Sequence, residues 1–234
     1  MNIINIEHIS KVYGEKVIFD DASYGIQEGD KIGIIGINGT GKTTLLNMIA
    51  GREETDSGSI IRQNGLHMAY LSQNPVYEKE DTVLSFVTRG IDPSDRTAIS
   101  EAKSNLMTLG LTDYEEKLEH LSGGQRKKAA LARVLLGSFD VLFWTSRTNH
   151  LDGSMLEWLE DYLRRFRGTV IMVTHDRYFL DRTSNRILEI SHGKIYGYGA
   201  NYSQFLELKA QREEMELASE RKRQSILRME LEWA

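Results

Sequence analysis

The sequence contains no cysteine, only two prolines and no long run of apolar residues. Without cysteine the chain has no disulfide, no thiol nucleophile and no cysteine-ligated metal centre. No apolar stretch reaches the ~18 residues that a membrane helix requires, and the first residues carry charges where a signal peptide would be apolar. The net charge of −5 argues against binding to nucleic acid by overall charge, although not against a local basic patch. A cytoplasmic protein without a membrane-inserted part is therefore expected.

The 234 residues, of which 40% are apolar, are enough to bury a large core. Short apolar runs that suit strands buried on both faces alternate with amphipathic stretches. This alternation predicts an α/β fold with a mainly parallel sheet and flanking helices. Residues 3–30 instead show two strand-like stretches with a glycine at the turn. The clearest strands are predicted at 31–36, 66–73, 140–144 and 168–175, and the helical stretches at 43–51, 82–120, 124–137 and 154–166.

The C-terminal residues, from about 202 to 233, contain no glycine or proline and are dominated by Glu, Lys and Arg. This composition predicts one long, charged helix. Its apolar residues are too sparse to form a core of their own. The helix is either a solvated terminal helix or, as we prefer, the start of a segment that leads into a further part of the protein.

Residues 36–43 read GINGTGKT and match the phosphate-binding pattern G-x-x-x-x-G-K-[ST]. The stretch follows a predicted buried strand and opens a predicted helix, as this loop requires; the alternative is a glycine-rich turn with an incidental lysine. The glycines let backbone N–H groups approach phosphate oxygens, and the helix N-terminus adds a partial positive charge. Lys42 is predicted to reach the β- and γ-phosphates and Thr43 to bind Mg²⁺, with Thr44 near the α-phosphate. The other nucleotide-binding residues predicted in this loop are Gly36, Asn38, Gly39, Thr40 and Gly41.

A second motif, LSGGQ, occupies residues 121–125 directly before a basic helix. Ser122 stands at the predicted N-cap, and the two glycines leave the helix start open to an anion. By itself the motif could be a helix cap with a flexible approach. Because it follows a phosphate loop, it resembles the signature of the ATP-binding cassette (ABC) family. The nucleotide-binding residues that this resemblance implies are Ser122, Gly123, Gly124 and Gln125.

Four further positions match landmarks of the same family. The resemblance implies that Tyr13 stacks on adenine, and that Gln73, at the end of a strand, is the Q-loop glutamine that helps to hold Mg²⁺. It also implies that Asp152 is the D-loop aspartate and that His175 is the switch histidine. Taken singly, Tyr13 would be an ordinary strand residue, and Gln73 and His175 would be turn residues. Their common order along the chain carries the resemblance.

The family implies an ABC nucleotide-binding domain over residues 1–201, with an antiparallel β subdomain at the N-terminus and a small helical subdomain at about 82–136. Residues 202–234 would begin a helical interdomain linker. In this family two cassettes face each other head to tail, with ATP and Mg²⁺ between the phosphate loop of one and the signature of the other. ATP closes the pair, and hydrolysis by in-line attack of water on the γ-phosphate releases it. The second cassette would lie downstream in the same chain or in a head-to-tail homodimer.

Three narrower strings resemble the ABC-F branch of the family: TNHLD at 148–152, THDRYFLD at 174–181 and the run at 193–213. That branch implies two cassettes in one chain, no membrane domain, and action on the ribosome and tRNA in translation or antibiotic protection. The stretch between Gln73 and Ser122 is short, and at most a stub at about 88–102 stands where many relatives carry an extra helical arm. Two alternatives stay open: the ATPase subunit of an ABC membrane transporter, and a hydrolysis-deficient switch that only binds ATP.

The strand before TNHLD departs from the family pattern, which is close to LLLDEP. Residues 142–147 read LFWTSR, so Thr145 stands at the position of the Mg²⁺-supporting Walker B aspartate and Ser146 at that of the catalytic glutamate. Neither side chain can act as a carboxylate base, and a loss of about 10²–10⁴ in rate is expected from the missing base alone. Hydrolysis by this chain is therefore expected to be impaired. The other catalytic positions that the resemblance implies are Gln73, Asp152 and His175.

Two small changes of reading frame would explain these substitutions. Deleting one T from TTT TTG GAC GAG CCG A, which encodes Phe-Leu-Asp-Glu-Pro, leaves TTT TGG ACG AGC CGA. The shifted codons encode Phe-Trp-Thr-Ser-Arg, the residues at 143–147, and one inserted base restores the frame at Thr148. We interpret the segment as a compensated frameshift in the gene or in its reading; natural loss of catalysis and deliberate mutation are the alternatives. Trp144, in a buried strand, is expected to lower the stability of the fold by about 1–3 kcal/mol, because its large side chain overpacks the core.

Overall fold

The computed structural model describes residues 1–71, 75–146 and 153–232. Strands and helices alternate along these ranges, as the hydrophobic pattern predicts. The strands are β1 (Asn2–Tyr13), β2 (Lys16–Gln27), β3 (Lys31–Ile35), β4 (Ser57–Arg62), β5 (Met68–Leu71), β6 (Val141–Ser146), β7 (Thr169–Thr174), β8 (Arg186–Ser191) and β9 (Lys194–Tyr198). The helices are α1 (Lys42–Ile49), α2 (Val83–Val87), α3 (Arg96–Thr108), α4 (Gly123–Leu135), α5 (Gly153–Arg165), α6 (Arg177–Thr183) and α7 (Tyr202–Glu232).

The larger sheet carries the centre of the molecule. Its strand order is β5-β6-β7-β3-β8-β9 in the part of the chain that the structure describes. All neighbours run parallel except β9, which is antiparallel to β8. Strand β7 is buried along its whole length. Such a strand suits a sheet covered on both faces. The prediction of a mainly parallel sheet with flanking helices is therefore confirmed.

A smaller antiparallel sheet lies at the N-terminal end of the chain and has the order β2-β1-β4. Strands β1 and β2 form a hairpin in which Tyr13 pairs with Lys16. The sheet packs its isoleucines, among them Ile4, Ile6 and Ile9, into one core with α1 and the central strands. This sheet is the antiparallel β subdomain that the sequence resemblance implied, and β4 is a strand that the hydrophobic pattern did not predict.

Helices α2, α3 and α4 belong to a second core, distinct from the one that α1 shares with the antiparallel sheet. Helices α2, α3 and α4 share a core with α5, α6 and the central strands, in which Phe86, Leu106 and Leu131 are buried. The helical stretch predicted over 82–120 is broken between α2 and α3, because Gly90 adopts a φ of 91° and Pro93 follows it. The LSGGQ segment opens α4, so the small helical subdomain carries the signature as predicted.

The last strands and the helix between β7 and β8 were not predicted from hydrophobic periodicity. Strands β8 and β9 place Glu189 and Tyr198 in the interior, where they are 4% and 8% exposed. Helix α6 begins after Asp176, whose carboxylate accepts a hydrogen bond from the Phe179 amide at 3.0 Å. These elements are short, and each carries polar or glycine residues that hide a period of 2 or 3.6.

Among the described side chains, those that join the long helix α7 to the sheet lie in its first turns. Phe205 is 2% exposed and meets Tyr198 edge to face, with ring centroids 5.0 Å apart. The buried Glu189 carboxylate lies 2.5 Å from Lys209 Nζ and 3.1 Å from the Arg212 guanidinium. Farther along the helix, the side chain of Met215 is exposed. The long charged helix predicted at the C-terminus is confirmed, and its distal part has no core of its own among the described residues.

Within the described part of the chain, none of the helices combines the length and the apolar character needed to span a membrane. The long helix α7 is rich in charged residues.

Candidate nucleotide-binding site

The loop between β3 and α1 depends on glycines in left-handed or otherwise glycine-specific backbone. Gly36, Gly39 and Gly41 have φ values of 154°, 82° and 101°. A Cβ on Gly41 would lie 2.3 Å from Ile18 Cγ2, and one on Gly36 would lie 2.8 Å from the Ile190 carbonyl oxygen. Both the backbone conformation and the lack of space therefore exclude larger residues. The loop therefore packs closely against β2 at Ile18 and against β8 at Ile190.

The start of α1 is arranged for an anion. Gly41 is the N-cap residue and provides no side-chain cap, so the first amides of the helix have no side-chain acceptor. Lys42 Nζ turns back over the loop and donates to the Gly36 and Ile37 carbonyl oxygens at 2.7 and 3.0 Å. Burial lowers the pKa of the Lys42 ammonium group. A charged ammonium and uncapped amides together fit a polyphosphate.

A cavity of about 770 Å³ lies over this loop. It brings together Tyr13, the phosphate-loop residues, Thr145 and His175, which are far apart in the sequence. The carboxyl ends of β6 and β7 supply Thr145 and Val173, and His175 follows β7 directly. The full lining is Tyr13, Lys16, Ile18, Asn38, Gly39, Gly41, Lys42, Thr43, Thr44, Thr145, Val173 and His175.

Tyr13 and His175 both line this cavity but come from different sheets. Tyr13 ends β1 at the tip of the first hairpin, and its side chain is 47% exposed. His175 is exposed at the end of β7, between the buried strand and the Asp176 cap of α6. The structure thus places an aromatic ring and an imidazole next to the phosphate loop. Their roles in stacking and in switching remain the roles that the family resemblance implies.

The end of β6 offers no carboxylate to the cavity. Thr145 pairs with Val173, and Ser146 with Thr174, in parallel register with β7. Among the described residues, no group of three or more His, Asp or Glu side chains is arranged to hold a metal ion. Thr43 is the predicted Mg²⁺ ligand that the structure places in the cavity lining. Thr145, which stands where the family resemblance implies the Walker B aspartate, lines the same cavity with a neutral side chain.

Trp144, just before this position, is accommodated in the core. Its side chain is 4% exposed, and its ring meets Phe179 edge to face with centroids 4.8 Å apart and an interplanar angle of 71°. This geometry is favourable for an aromatic pair. The contact offsets part of the overpacking expected for an indole in a central strand.

Several predicted positions lie outside the described residues. These are Gln73 and Asp152, together with the side chain of Ser146. Their predicted roles as Q-loop, D-loop and degenerate catalytic residues stay predictions.

The signature segment forms a capping box at the start of α4. The Ser122 hydroxyl accepts from the Gln125 amide at 3.2 Å, and the Gln125 side chain accepts from the Ser122 amide at 2.9 Å. The N-cap role of Ser122 is confirmed, whereas the reciprocal bond from Gln125 was not predicted. A Cβ on Gly123 would meet nothing within 4 Å. The signature does not line the cavity over the phosphate loop, so the chain brings these two motifs to separate surfaces.

Sequence reasoning missed Lys16 and Ile18 as residues of the cavity. Lys16 Nζ lies 3.0 Å from where a Cβ of Gly39 would stand, so it places a second cation at the phosphate loop. The signal was present in the hairpin, since a two-residue turn after Tyr13 pairs the tyrosine with Lys16. Ile18 is buried against Gly41, a contact that no local pattern reveals.

The fold and the loop at residues 36–43 define a phosphate-loop nucleotide-binding protein. The family model described as ABC transporter matches residues 19–149, and a second model with the same description matches residues 188–234. The chain therefore belongs to the ABC transporter family, as an ABC ATPase cassette. Cassettes of this family bind ATP and, in general, Mg²⁺. The family assignment made from the phosphate loop and LSGGQ is confirmed.

Curated relatives place the chain near the ABC-F branch. It is 38% identical to the uncharacterized ABC transporter ATP-binding protein YfmR of Bacillus subtilis, over 100% of this chain and 43% of that protein. It is 35% identical to the energy-dependent translational throttle protein EttA of Haemophilus influenzae, over 99% of this chain and 49% of that protein. The chain thus spans about half the length of these relatives. EttA is an ABC-F protein, and the resemblance to that branch is confirmed.

Solved structures confirm the fold. The structure of an ATP-binding subunit of an ABC transporter aligns with a TM-score of 0.77 at 18% identity, over 88% of this chain and 99% of that one. A nucleotide-free ATP-binding cassette from an ABC transporter aligns with a TM-score of 0.70 at 22% identity, over 89% and 96%. At these identities the likeness concerns the fold alone.

Substituting Gly41 by alanine should remove the phosphate site. The substitution adds backbone strain at φ 101° and a Cβ 2.3 Å from Ile18 Cγ2, so the loop must shift. We expect ATP affinity, measured by isothermal titration calorimetry, to fall at least about 10-fold, with loss of stability of about 1–3 kcal/mol from the backbone strain. Gly110→Ala is the matched control, because Gly110 has a φ of 75° and open space around it. Equal ATP affinities for the two variants would contradict the assignment of this loop.

Proposed function

We propose that the chain is the ATP-binding cassette of an ABC-F-type protein and that ATP drives its closure on a second cassette. The observation that carries the proposal is the cavity in which Tyr13, Lys42, Thr43 and His175 meet. An aromatic ring, a phosphate cradle and a histidine at the carboxyl edge of a parallel sheet are the groups that a nucleoside triphosphate needs. ATP and Mg²⁺ are the proposed ligands, with Gln73 the second Mg²⁺-binding residue implied by the family.

Closure on a second cassette is supported by the position of the signature. Ser122 and Gly123 are exposed at the start of α4 and are absent from the lining of the chain's own phosphate cavity. The capping box uses the Gln125 amide. The earlier amides of the helix, at Gly123 and Gly124, can therefore receive a phosphate that is presented by another cassette. The partner would be a second cassette downstream in the same chain, or a second copy of this chain in a head-to-tail dimer. Residues 1–201 would form the cassette and 202–234 the start of the linker between cassettes.

Hydrolysis is proposed to be impaired in this chain. Thr145 occupies the place of the aspartate that supports Mg²⁺, and Ser146 that of the glutamate that polarises the attacking water. Hydroxyl groups of this kind have no basicity near neutral pH and cannot accept the proton. Binding energy for the triphosphate comes from the loop, Lys42 and Lys16, which are intact. The cassette would therefore bind ATP and close, and would open slowly.

Action in translation is supported by the relatives. EttA carries the description energy-dependent translational throttle protein, and the match to it covers 99% of this chain. The alignment runs over 271 residues, 37 more than the chain's 234, so these relatives carry additional residues of about the size of a helical arm. We propose that the full-length protein acts on the ribosome in the cytoplasm, with fewer arm-dependent contacts than these relatives make.

Dimer closure is tested by a substitution in the signature. Gly123→Glu adds a side chain in open space, so the fold should tolerate it, but the carboxylate would repel the phosphates of an opposing nucleotide. At saturating Mg²⁺-ATP we expect the parent chain to sediment as a dimer and Gly123→Glu as a monomer that still binds ATP at its own phosphate loop. Gly199→Glu, also in open space but distant from the signature, should dimerise like the parent. A parent chain that stays monomeric would contradict the homodimer form of the proposal.

The ribosome role is tested with the full-length gene product. We expect it to co-sediment with ribosomes in the presence of ATP and to leave them when Lys42→Ala removes the lysine that is predicted to contact the phosphates. Recovery of the protein in the membrane fraction instead, with ribosomes free of it, would favour the transporter alternative.

A further inference from the structure

The ring of Tyr13 stands on an exposed hairpin tip and needs an anchor to keep one orientation. Tyr13 is the last residue of β1, a two-residue turn follows it, and its side chain is 47% exposed. Gly14 in the turn has a φ of 60° and open space around it. An exposed aromatic side chain with no fixed partner populates several rotamers and loses that freedom on binding.

Glu53 provides the anchor. The Tyr13 hydroxyl donates a hydrogen bond to Glu53 Oε1. This bond is the main reason that the pKa of the Tyr13 hydroxyl lies above its ordinary value. The Glu53 side chain is 24% exposed and lies in the connection between α1 and β4. A carboxylate that accepts from a phenol fixes the far end of the ring, so the ring cannot swing freely about the hairpin tip.

The same connection holds the residues that precede Tyr13. Lys11 Nζ donates to the Glu54 carbonyl oxygen at 2.8 Å and to the Asp56 carboxylate at 3.2 Å, and it lies 3.6 Å from Glu53. The Asp56 carboxylate also accepts from the Val12 amide at 2.7 Å. One short segment, residues 53–56, therefore holds both the backbone before Tyr13 and the hydroxyl group of its ring.

That segment is joined by α1 to the phosphate loop. Helix α1 begins at Lys42 and ends at Ile49, just before the connection that contains Glu53. The Thr44 side chain acts on the same Tyr13 hydroxyl and partly opposes the effect of Glu53 on its pKa. The turn that holds the Tyr13 ring is therefore continuous, through α1, with the phosphate loop.

We propose that Glu53 is a positioning residue for the nucleotide base, which holds the Tyr13 ring ready to stack on the adenine of ATP. The inference rests on the proposed ATP-binding function and names a residue outside every nucleotide motif of the sequence. Ordering a side chain on binding costs roughly 0.5–1.5 kcal/mol, which corresponds to about 2- to 10-fold in affinity. Because Glu53 already orders the Tyr13 ring in the free protein, ATP binding does not have to order it.

The test compares a ligand that has a base with one that has none. Isothermal titration calorimetry of the whole chain in Mg²⁺ buffer would measure the affinities for ATP and for inorganic tripolyphosphate. Glu53→Ala and Tyr13→Phe should each weaken ATP about 2- to 10-fold and leave tripolyphosphate unchanged. Glu53→Gln, which keeps an acceptor, should stay near the parent. Glu54→Ala is the matched control, because the contact made by Glu54 uses its backbone carbonyl.

A double-mutant cycle separates positioning from a general structural role. If Glu53 acts through the Tyr13 hydroxyl, the variant that combines Glu53→Ala with Tyr13→Phe should be no weaker for ATP than either single variant. Lys16→Ala should instead weaken ATP and tripolyphosphate together, since Lys16 lies at the phosphate loop. Additive losses in the cycle, or a loss for tripolyphosphate in Glu53→Ala, would overturn the inference.

Failure of the inference and failure of the proposed function give different results. A parent chain that binds neither ATP nor tripolyphosphate would show that the proposed function is wrong, and the inference would fall with it. A parent chain that binds ATP, with unchanged affinity in Glu53→Ala and Tyr13→Phe, would overturn the inference alone.

Discussion

The insertion of β3 between β7 and β8 is the constraint on which the site depends. Parallel pairing on both sides ends β3 at Ile35, and the chain must then turn sharply through Gly36 into α1. The same pairing brings the end of β7, with His175, to the loop. On the other side Glu189 pairs directly with Ile35 and binds the first turns of α7 through Lys209. The carboxyl ends of the central parallel strands thus position both the nucleotide site and the long helix.

A feature of the fold or site could be predicted from the sequence where a few consecutive residues determine it. The phosphate loop and the Ser122 cap are recognisable because a few consecutive residues dictate their conformation. The contact of Glu53 with Tyr13 could not be predicted, because it joins separate segments of the chain. The place of Lys16 beside Tyr13 was predictable from the two-residue turn between them, although its approach to Gly39 was not. Strands β4, β8 and β9 were missed for a similar reason, since pairing with neighbours defines them more than their own hydrophobic pattern does.

The substitutions at the end of β6 separate two tasks that one site normally combines. Holding a triphosphate requires amides and ammonium groups, and these remain at the loop, Lys42 and Lys16. Splitting it requires a carboxylate near the attacking water, and Thr145 supplies none. The strand itself is intact, because Trp144 packs against Phe179 and the register with β7 continues through Ser146. We propose that this cassette keeps its fold and its phosphate-binding groups but hydrolyses ATP slowly.

The most direct test is phosphate release from saturating Mg²⁺-ATP by the parent chain and by the double variant Thr145→Asp/Ser146→Glu, with ATP affinity measured alongside. The account predicts similar ATP affinities, and release that is about 10²–10⁴-fold faster in the double variant. A double variant that releases phosphate no faster than the parent would contradict it.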